Sequence, residues 1–466
     1  MSIPAWDERW RGAAHRLVDQ LFDHVEGVAS RPVVAWTSPQ QLSADEAFAI
    51  GEPGPDNLER LVAALADASI QLHHPRYAGH QVCPPFAIGA IAEMAIATLN
   101  NSTAVWEMSP ASTIVEKNVI RWLCDQVGYP ASAGGTTVSG GSAANLTALL
   151  AARHRWTADG TNVGKTPVVI CSETAHYSIA RAAAILGSGI RVAQVPVDDQ
   201  FRMRTDELDH LLAAMEGTDE SPMAIVATSG STATGSFDAL GPIADLRDRH
   251  RTWLHVDAAH GASTLLSARL RRLVEGLARA DSLSWDPHKM MWMPLSTSAV
   301  LVKDEAWLRA AFLSDAPYLF HRDREGLDLG AMTIQCSRRA DAVKLWLALN
   351  TIGPEPIAEA MEGVAERACE FAGILAADPE FEAMHDPQFN IVCFRYRRAG
   401  SKDDEALDSL NATLRQGLLE SGDGWITTTK LRGRRCLRVT IINPATTRAD
   451  LEAILGKLRS LAKEIG

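Results

Sequence analysis

Short apolar runs alternate with helical patterns along the middle of the chain. The runs are TPVVICS, GIRVAQVPV, MAIVATSG, TWLHVDAAH and TSAVLVKD. Helical periodicity over residues 145–155 and 239–250 separates several of them. Because such alternation is typical of a largely parallel sheet with helices on both faces, the pattern predicts an α/β fold.

Different patterns flank this region. Before residue 75, apolar side chains recur at helical spacing from Trp10 to Val25, and a connector rich in Pro, Ser and Asp follows. Beyond residue 345, a long helical pattern precedes the strand-like runs FNIVCFRY and CLRVTIIN and a closing helix from Arg448. We therefore predict a helical segment at 1–74, a large domain at 75–345 and a small α+β domain at 346–466.

Composition narrows the class of protein. The chain has 466 residues and a net charge of −12 without a basic block, which argues against nucleic acid or an anionic membrane as a partner. The apolar stretch FAIGAIAEMAIATL is interrupted by Glu93 and is too short to span a bilayer, and the amino terminus has no secretory pattern. The seven cysteines have neither CxxC nor zinc-ligand spacing. We expect a cytoplasmic protein with reduced cysteines and no bound metal.

One strand end carries a turn that could bind an anion, and another carries a carboxylate that could bind a cation. In open α/β sheets ligands bind at the carboxyl ends of the strands. Gly140, Gly141 and Ser142 in SGGSAANLTALLAAR open a helix whose amides could hold a phosphate, although a tight turn with a serine cap is an alternative. Asp257 ends the run WLHVD before two alanines that leave room for a flat ring, or it caps the next helix.

Two further strand ends carry a histidine and a lysine. His176 follows VICSETA and is either a ring contact or a structural, hydrogen-bonded residue. Lys289 lies in SWDPHKMMWMP, beside large apolar side chains. A lysine in such a place either extends its stem over them or loses its charge in a Schiff base with an aldehyde.

The four places together match the needs of pyridoxal 5′-phosphate. Its phosphate requires a helix amino terminus, its pyridine nitrogen a carboxylate and its aldehyde a lysine, while an imidazole can stack on the ring. The phosphate turn, the aspartate and the lysine also occur in the chain order expected of such enzymes.

The motifs SGGSAANLTALLAAR, SETAHYS, ATSGSTATGSFD, HVDAAHG and DPHK resemble those of the pyridoxal-phosphate-dependent group II decarboxylases. This family includes the glutamate, cysteine sulfinate, diaminobutyrate and aromatic amino acid decarboxylases. The resemblance extends over nearly the whole chain, from about residue 73 to residue 447. It implies fold type I, the aspartate-aminotransferase-like fold, and a homodimer with its active sites at the subunit interface.

The resemblance also implies roles for individual residues. Lys289 is similar to the Schiff-base lysine, Asp257 to the partner of the pyridinium nitrogen and His176 to the imidazole stacked on the ring. The other positions that match cofactor contacts are Gly141, Ser142, Thr232, Ala259 and His288.

Substrate contacts follow from the same resemblance. Arg438 matches the arginine that binds the substrate carboxylate in glutamate decarboxylases, or else it is a strand arginine paired with a surface acid. His80 stands where a glutamine contacts acidic substrates. Ser102 and Ala104 replace bulky apolar residues that enclose aromatic rings, which favours a polar aliphatic or acidic amino acid.

The chain departs from the family at two points. Members usually carry a loop tyrosine that protonates Cα after carbon dioxide leaves, but the segment before IQCSRR has none after Tyr318, and Leu327 or Leu329 falls at its place. His176, Tyr318 or His321 then supplies the proton, or oxygen intercepts the intermediate. Asp286 also replaces the usual asparagine before PHK, and an acid beside a phosphate is unfavourable unless it faces elsewhere.

Three functions remain open at this point. The first is a decarboxylase that converts an L-amino acid into an amine and carbon dioxide. The second is decarboxylation coupled to oxidative deamination, which yields an aldehyde, and the missing tyrosine motivates it. The third is a catalytically inactive cofactor-binding protein, which the intact Lys289, Asp257 and His176 argue against.

Overall fold

The computed structural model describes residues 6–51, 54, 57–312, 327–397 and 403–465. In chain order the α-helices are α1 (Glu8–Glu26), α2 (Pro39–Ser43), α3 (Asn57–Ala68), α4 (Ala87–Leu99), α5 (Pro110–Val127), α6 (Gly141–Ala158), α7 (Ser178–Leu186), α8 (Thr205–Met215), α9 (Leu240–His250), α10 (Pro287–Met290), α11 (Glu305–Ala311), α12 (Ala342–Thr351), α13 (Glu355–Ala377), α14 (Asp404–Ser421) and α15 (Arg448–Ile465). The strands are β1 (Gly134–Val138), β2 (Thr166–Ser172), β3 (Arg191–Val195), β4 (Glu220–Thr228), β5 (Trp253–Asp257), β6 (Ser282–Trp285), β7 (Ser298–Val302), β8 (Phe381–Ala383), β9 (Ile391–Tyr396), β10 (Thr427–Leu431) and β11 (Arg434–Thr440).

The chain forms two compact units. The large unit comprises residues 81–368 and 385–392, and the small unit comprises residues 1–80, 369–384 and 393–466. The amino-terminal residues thus belong to the same unit as the carboxyl-terminal ones. The three-part division predicted from the sequence, at 1–74, 75–345 and 346–466, stays a prediction.

The large unit is built on a seven-stranded sheet in the order β1-β7-β6-β5-β4-β2-β3. Strands β2 to β6 pair in parallel, whereas β7 is antiparallel to both of its neighbours, β1 and β6. All residues of β5, β6 and β7 are buried, as expected for central strands covered on both faces. The predicted α/β architecture with a mostly parallel sheet is confirmed.

This topology brings the chemically interesting turns to one edge. Because β7 runs against both of its neighbours, β1 has the same direction as β6, and the carboxyl ends of β1, β2, β4, β5 and β6 meet at that edge. The sequence pattern did not predict β1, since its letters GGTTV contain a single large apolar side chain. Gly135 is required there because an added Cβ would lie 2.1 Å from the Val300 carbonyl oxygen of β7.

The small unit contains a four-stranded sheet in the order β10-β11-β9-β8. Helix α14 packs on β11 and against α15. The predicted strands β9 and β11 and the helix from Arg448 are confirmed. Strands β8 and β10 were not predicted, because β8 has only three residues and β10 reads TTTKL.

Several general features bear on the class of protein. No helix within the described ranges is long and apolar enough to cross a membrane. All seven cysteines are free thiols. Among the residues that the structure describes, no cluster of three or more His, Cys, Asp or Glu side chains could hold a metal ion.

A buried ion pair fastens β1 to the rest of the large unit. Arg338 Nη2 lies 2.5 Å from Glu116 Oε1 of α5, and both side chains are at most 2 % exposed. The same guanidinium donates to the Thr136 hydroxyl of β1 at 2.8 Å, while Glu116 Oε1 accepts from the Thr137 backbone N–H at 2.9 Å. The glycine turn that follows β1, which the sequence predicts to hold a phosphate, therefore begins from a fixed strand.

Removal of this arginine should destabilise the protein. We expect Arg338→Met to lower the free energy of unfolding by about 3–5 kcal/mol, because Glu116 would stay buried without a counter-charge. The measurement is the urea midpoint followed by tryptophan fluorescence. Arg249→Met, which removes an exposed pair with Asp209, should cost less than about 1 kcal/mol. Equal shifts for the two variants would contradict the prediction.

Candidate active site

A cavity of about 220 Å³ opens at the carboxyl edge of the large sheet. Its lining includes all eight residues that match cofactor contacts in the sequence: Gly141, Ser142, His176, Thr232, Asp257, Ala259, His288 and Lys289. Asn145, Thr228, Gly230, His260 and Asp286 complete it. Turns after five different strands thus contribute to one concave site, as is common for ligand sites in α/β folds.

Lys289 enters the cavity from the short helix α10. Met290, Met291 and Trp292, which follow it, are fully buried, whereas the Lys289 side chain is 19 % exposed. Its Nζ lies 3.1 Å from Asp286 Oδ2, and His288 Nε2 lies 3.5 Å from the same oxygen. The apolar run is therefore packed in the protein interior, and the amine is left at the cavity surface.

Asp257 is buried at the end of β5 and is held by neutral donors. Its Oδ2 accepts a hydrogen bond from Asn145 Nδ2 at 3.0 Å, and its Oδ1 accepts one from Ser284 Oγ at 3.0 Å. The Ala259 backbone N–H donates to Oδ1 at 3.3 Å. A buried carboxylate fixed in this way offers a negative charge at a set position in the cavity wall.

Asn145 is itself oriented by a buried histidine. Asn145 Oδ1 lies 2.9 Å from His255 Nε2, and His255 Nδ1 lies 2.9 Å from Ser282 Oγ. Burial lowers the pKa of His255 to about 4, partly offset by the charge of Asp257. The neutral ring donates through Nε2, so that the Asn145 amide N–H₂ must face Asp257.

A second branch leads from Asn145 to His176. Asn145 Nδ2 donates to Ser178 Oγ at 2.9 Å, and Ser178 Oγ lies 2.8 Å from His176 Nδ1. The Ser178 backbone N–H also points to Nδ1, at 3.4 Å, so Nδ1 is an acceptor and the proton of the neutral ring is on Nε2. Burial lowers the pKa of His176 despite the nearby charge of Asp257, which favours this neutral form at pH 7.

The amino terminus of α6 supplies an anion cradle. The N-cap Gly140 has no side chain that could satisfy the first amides of the helix. A Cβ added at Gly141 would lie 2.9 Å from Asp286 Oδ2 and 3.1 Å from the Ala259 Cβ, so glycine keeps this approach open. Thr228 Oγ1, also in the lining, is buried and has no hydrogen-bond partner within the described chain.

These features fit pyridoxal 5′-phosphate. The site offers an amine for the aldehyde, a buried carboxylate for the ring nitrogen, an imidazole, and helix amides with Ser142 for the phosphate. His288 adds a donor, because its Nδ1 accepts from the Thr297 backbone N–H at 3.2 Å and its proton is therefore on Nε2.

The two predicted substrate residues lie in the small unit. His80 packs edge-on against Trp425, with the ring centroids 4.9 Å apart. Arg438 Nη2 donates to the Gly79 carbonyl oxygen at 3.4 Å, and burial lowers its pKa. The positive charges of Arg438 and Arg415 add to the effect of burial and lower the pKa of His80. These residues form one basic cluster, and their role in substrate binding stays a prediction.

Sequence reasoning missed Asn145 and left Asp286 without a role. Asn145 could have been found, because it lies one turn after Ser142 on a helix face otherwise made of Ala144, Ala148 and Leu149. A polar residue on such a face needs a buried partner. The contact between Asp286 and Lys289 could not be predicted from the sequence, because it depends on the conformation of the turn that leads into α10.

The structure describes some, but not all, of the remaining positions that the sequence analysis discussed for the missing tyrosine and for the substrate pocket. Tyr318 and His321 lie outside the described residues. Leu329 is buried and Leu327 half-buried. Ser102 Oγ accepts from the Arg338 backbone N–H at 3.3 Å, and Ala104 is buried, so these two positions are part of the packing around the ion pair of Arg338.

Comparison with known proteins supports the same chemistry. The family model described as "Pyridoxal-dependent decarboxylase conserved domain" matches residues 70–397. Human cysteine sulfinic acid decarboxylase is 32 % identical over 471 residues, which cover 96 % of this chain and 94 % of the relative. L-2,4-diaminobutyrate decarboxylase of Acinetobacter baumannii is 29 % identical, with 95 % and 93 % covered. The crystal structure of mouse CSAD in apo form has a TM-score of 0.88 at 28 % identity and covers 97 % of this chain and 99 % of its own.

The chain therefore belongs to the pyridoxal-dependent decarboxylase family. It is a carbon–carbon lyase that decarboxylates an amino acid with pyridoxal 5′-phosphate as its cofactor. The resemblance seen in the sequence motifs, including the fold that it implies, is confirmed.

The buried His255 should make stability depend on pH. In the unfolded chain a histidine takes up a proton as the pH falls below its usual pKa of 6.5, whereas folded His255 does so only at about 4. The contribution of neutral His255 to the free energy of unfolding is therefore fully present above pH 6.5. It is lost as the pH falls towards 4, by an amount on the order of 3 kcal/mol. Urea midpoints measured across this range test the effect.

The matched variants are His255→Gln and His154→Gln, the latter at an exposed position. We expect His255→Gln to flatten this part of the pH profile and His154→Gln to leave it as it is. A profile unchanged by His255→Gln would show that other groups cause the acid loss.

Proposed function

We propose that the cavity is the active site and that Lys289 Nζ holds the cofactor's aldehyde carbon covalently. The observation that carries this proposal is the convergence of Lys289, Asp257, His176 and the amino terminus of α6 on one cavity of about 220 Å³. Bound pyridoxal 5′-phosphate supplies a protonated pyridine ring that takes up the electron pair left when carbon dioxide departs. The protein orients the groups and fixes their charges.

Asp257 keeps the ring nitrogen protonated in this proposal. Two neutral side chains, Asn145 and Ser284, donate to its two oxygens, so its charge is stabilised without being neutralised. The full negative charge therefore remains available to a cation in the cavity. Thr232, Ala259, Gly141, Ser142 and His288 complete the cofactor contacts.

His176 is proposed to stack on the ring and to carry a transferable proton at Nε2. Ser178 and Asn145 fix its Nδ1 as an acceptor, which directs the Nε2–H away from this network. The chain has no tyrosine at the usual loop position, so we propose that His176 delivers the proton to Cα. Asn145 and Ser178 then act as positioning residues for both Asp257 and His176.

The proposed substrate is an amino acid with an acidic or polar aliphatic side chain. Human cysteine sulfinic acid decarboxylase and the diaminobutyrate decarboxylase of A. baumannii, by their names, act on such compounds. Arg438, with Arg415 near it, supports an anionic side chain over a cationic one, because the two guanidinium charges repel a side-chain ammonium. We also propose a homodimer in the cytoplasm, which the family resemblance and the seven free thiols support.

Lys289→Ala should abolish the covalent attachment of the cofactor. We expect the visible absorbance of the bound cofactor to disappear and turnover to fall by more than about a thousandfold, since no other amine lines the cavity in the described part of the chain. Absorption spectroscopy and amine production measure the two effects. Lys165→Ala, at an exposed lysine, is the control and should keep both. An unchanged spectrum in Lys289→Ala would refute the assignment.

The substrate class is tested by competition among amino acids under air. Full-length enzyme loaded with cofactor is incubated with a pool of natural amino acids, and mass spectrometry follows substrates, amines and aldehydes together. We expect an amine from aspartate, cysteine sulfinate or glutamate. An aldehyde with hydrogen peroxide would favour oxidative deamination, and an amine from an aromatic amino acid would contradict the proposed pocket.

Arg438→Met should then separate binding from chemistry. If Arg438 binds the side-chain acid, KM for the acidic substrate should rise by about tenfold to a hundredfold, the value of one charged hydrogen bond, while kcat changes less. Arg435→Met, on the same strand, removes a contact to Thr428 and should leave KM unchanged. Equal effects of the two variants would refute the role of Arg438.

A further inference from the structure

Asp286 places a second carboxylate at the cavity, beside the turn proposed for the phosphate. Its side chain is 1 % exposed. Oδ2 lies 3.1 Å from Lys289 Nζ and 3.5 Å from His288 Nε2. The same oxygen lies 2.9 Å from the position that a Cβ would take at Gly141, the first residue of α6. The carboxylate therefore faces both the amine and the anion cradle.

The backbone holds Asp286 in this orientation. Its N–H donates to the Ala259 carbonyl oxygen at 3.1 Å, and its own carbonyl accepts from the Lys289 N–H at 2.9 Å. The side chain thus starts from a fixed point between the turn after β5 and α10. It lies on the cavity side of that turn, where the Lys289 ammonium is its nearest cation and the His288 imidazole is its next neighbour.

The carboxylate is charged at neutral pH. Burial alone would raise the pKa of Asp286, but the charge of Lys289, with a smaller contribution from His288 when it is protonated, holds it below its usual range. Burial also lowers the pKa of His288, so this imidazole is mostly neutral at pH 7 and Lys289 is the main compensating cation. The pair Asp286–Lys289 leaves the anion cradle with little net positive charge from these two residues.

We propose that Asp286 is a positioning residue that binds the free ammonium group of Lys289 and weakens the binding of the cofactor's phosphate by like-charge repulsion. An asparagine at this position would accept a hydrogen bond from the ammonium but would not repel a phosphate. The carboxylate keeps the amine at the cavity wall whenever it is free. It does so at the expense of phosphate affinity.

This inference rests on the proposed function, because it takes the amino terminus of α6 as the phosphate site. It predicts that replacement of Asp286 by a neutral residue strengthens the binding of a phosphorylated ligand, whereas structural damage to the site would weaken that binding. A unit charge a few ångströms from a phosphate is expected to change its affinity by about tenfold or more, even at the moderate effective dielectric constant of a protein. The effect should decrease as salt is added.

The test uses pyridoxine 5′-phosphate, which lacks the aldehyde and cannot react with Lys289. Calorimetry measures its dissociation constant for the full-length, cofactor-free protein and for Asp286→Asn, and the titrations are repeated with pyridoxine, which lacks the phosphate. We expect Asp286→Asn to bind pyridoxine 5′-phosphate about tenfold more tightly than the wild-type protein does. Its affinity for pyridoxine should not increase. Asp286→Ser, which also removes the charge, should show the same sign.

Asp245→Asn is the control, because it removes one exposed carboxylate that pairs with Arg279 on the surface. It should leave the affinity for pyridoxine 5′-phosphate unchanged. Equal or weaker binding by both Asp286 variants would overturn the inference, as would an equal gain for the two probes. If the wild-type protein does not bind pyridoxine 5′-phosphate in competition with pyridoxal 5′-phosphate, the proposed phosphate site itself is wrong, which is a separate result.

Discussion

A carboxylate buried at the end of a central strand needs hydrogen-bond donors, and the large unit is arranged to meet that need. Asp257 of β5 receives them from Asn145 of α6 and Ser284 of β6. These contacts join α6, whose amino terminus is the proposed phosphate site, to β5 and to β6, the strand that precedes Lys289. A structural requirement and a chemical one are thus met by the same bonds, since the buried charge would otherwise be costly.

The two carboxylates of the site differ in their partners. Asp257 is stabilised by neutral donors and keeps its charge for a cation that enters the cavity. Asp286 is paired with Lys289, so its charge is largely balanced inside the protein. Asp257 ends β5 and Asp286 directly follows β6, so the two carboxylates occupy comparable places on neighbouring strands but have different partners. Environment, more than residue type, separates their tasks.

Much of the fold could be predicted from periodicity because buried parallel strands carry long apolar runs. β2, β4, β5 and β7 have such runs, and α9 and α15 have regular apolar spacing. β1 could not be predicted in this way, since GGTTV is held by its pairing with β7 and by the ion pair of Arg338 with Glu116. Short edge strands such as β8 likewise depend on a partner that is distant in sequence.

The sequence alone determined which chemical groups are present: a lysine, an aspartate, a histidine and a glycine turn, each next to a strand end. The motifs that contain them match those of a known family. Local patterns suffice for this, because strand ends and helix starts are encoded by neighbouring residues. Only the tertiary structure decided which atoms meet. Asn145 reaches Asp257 and His255 across more than a hundred residues of chain, and Asp286 reaches Lys289 through the shape of one turn. Hydrogen bonds act over about 3 Å, and sheet order and crossover connections, which no local pattern specifies, bring such partners within that range.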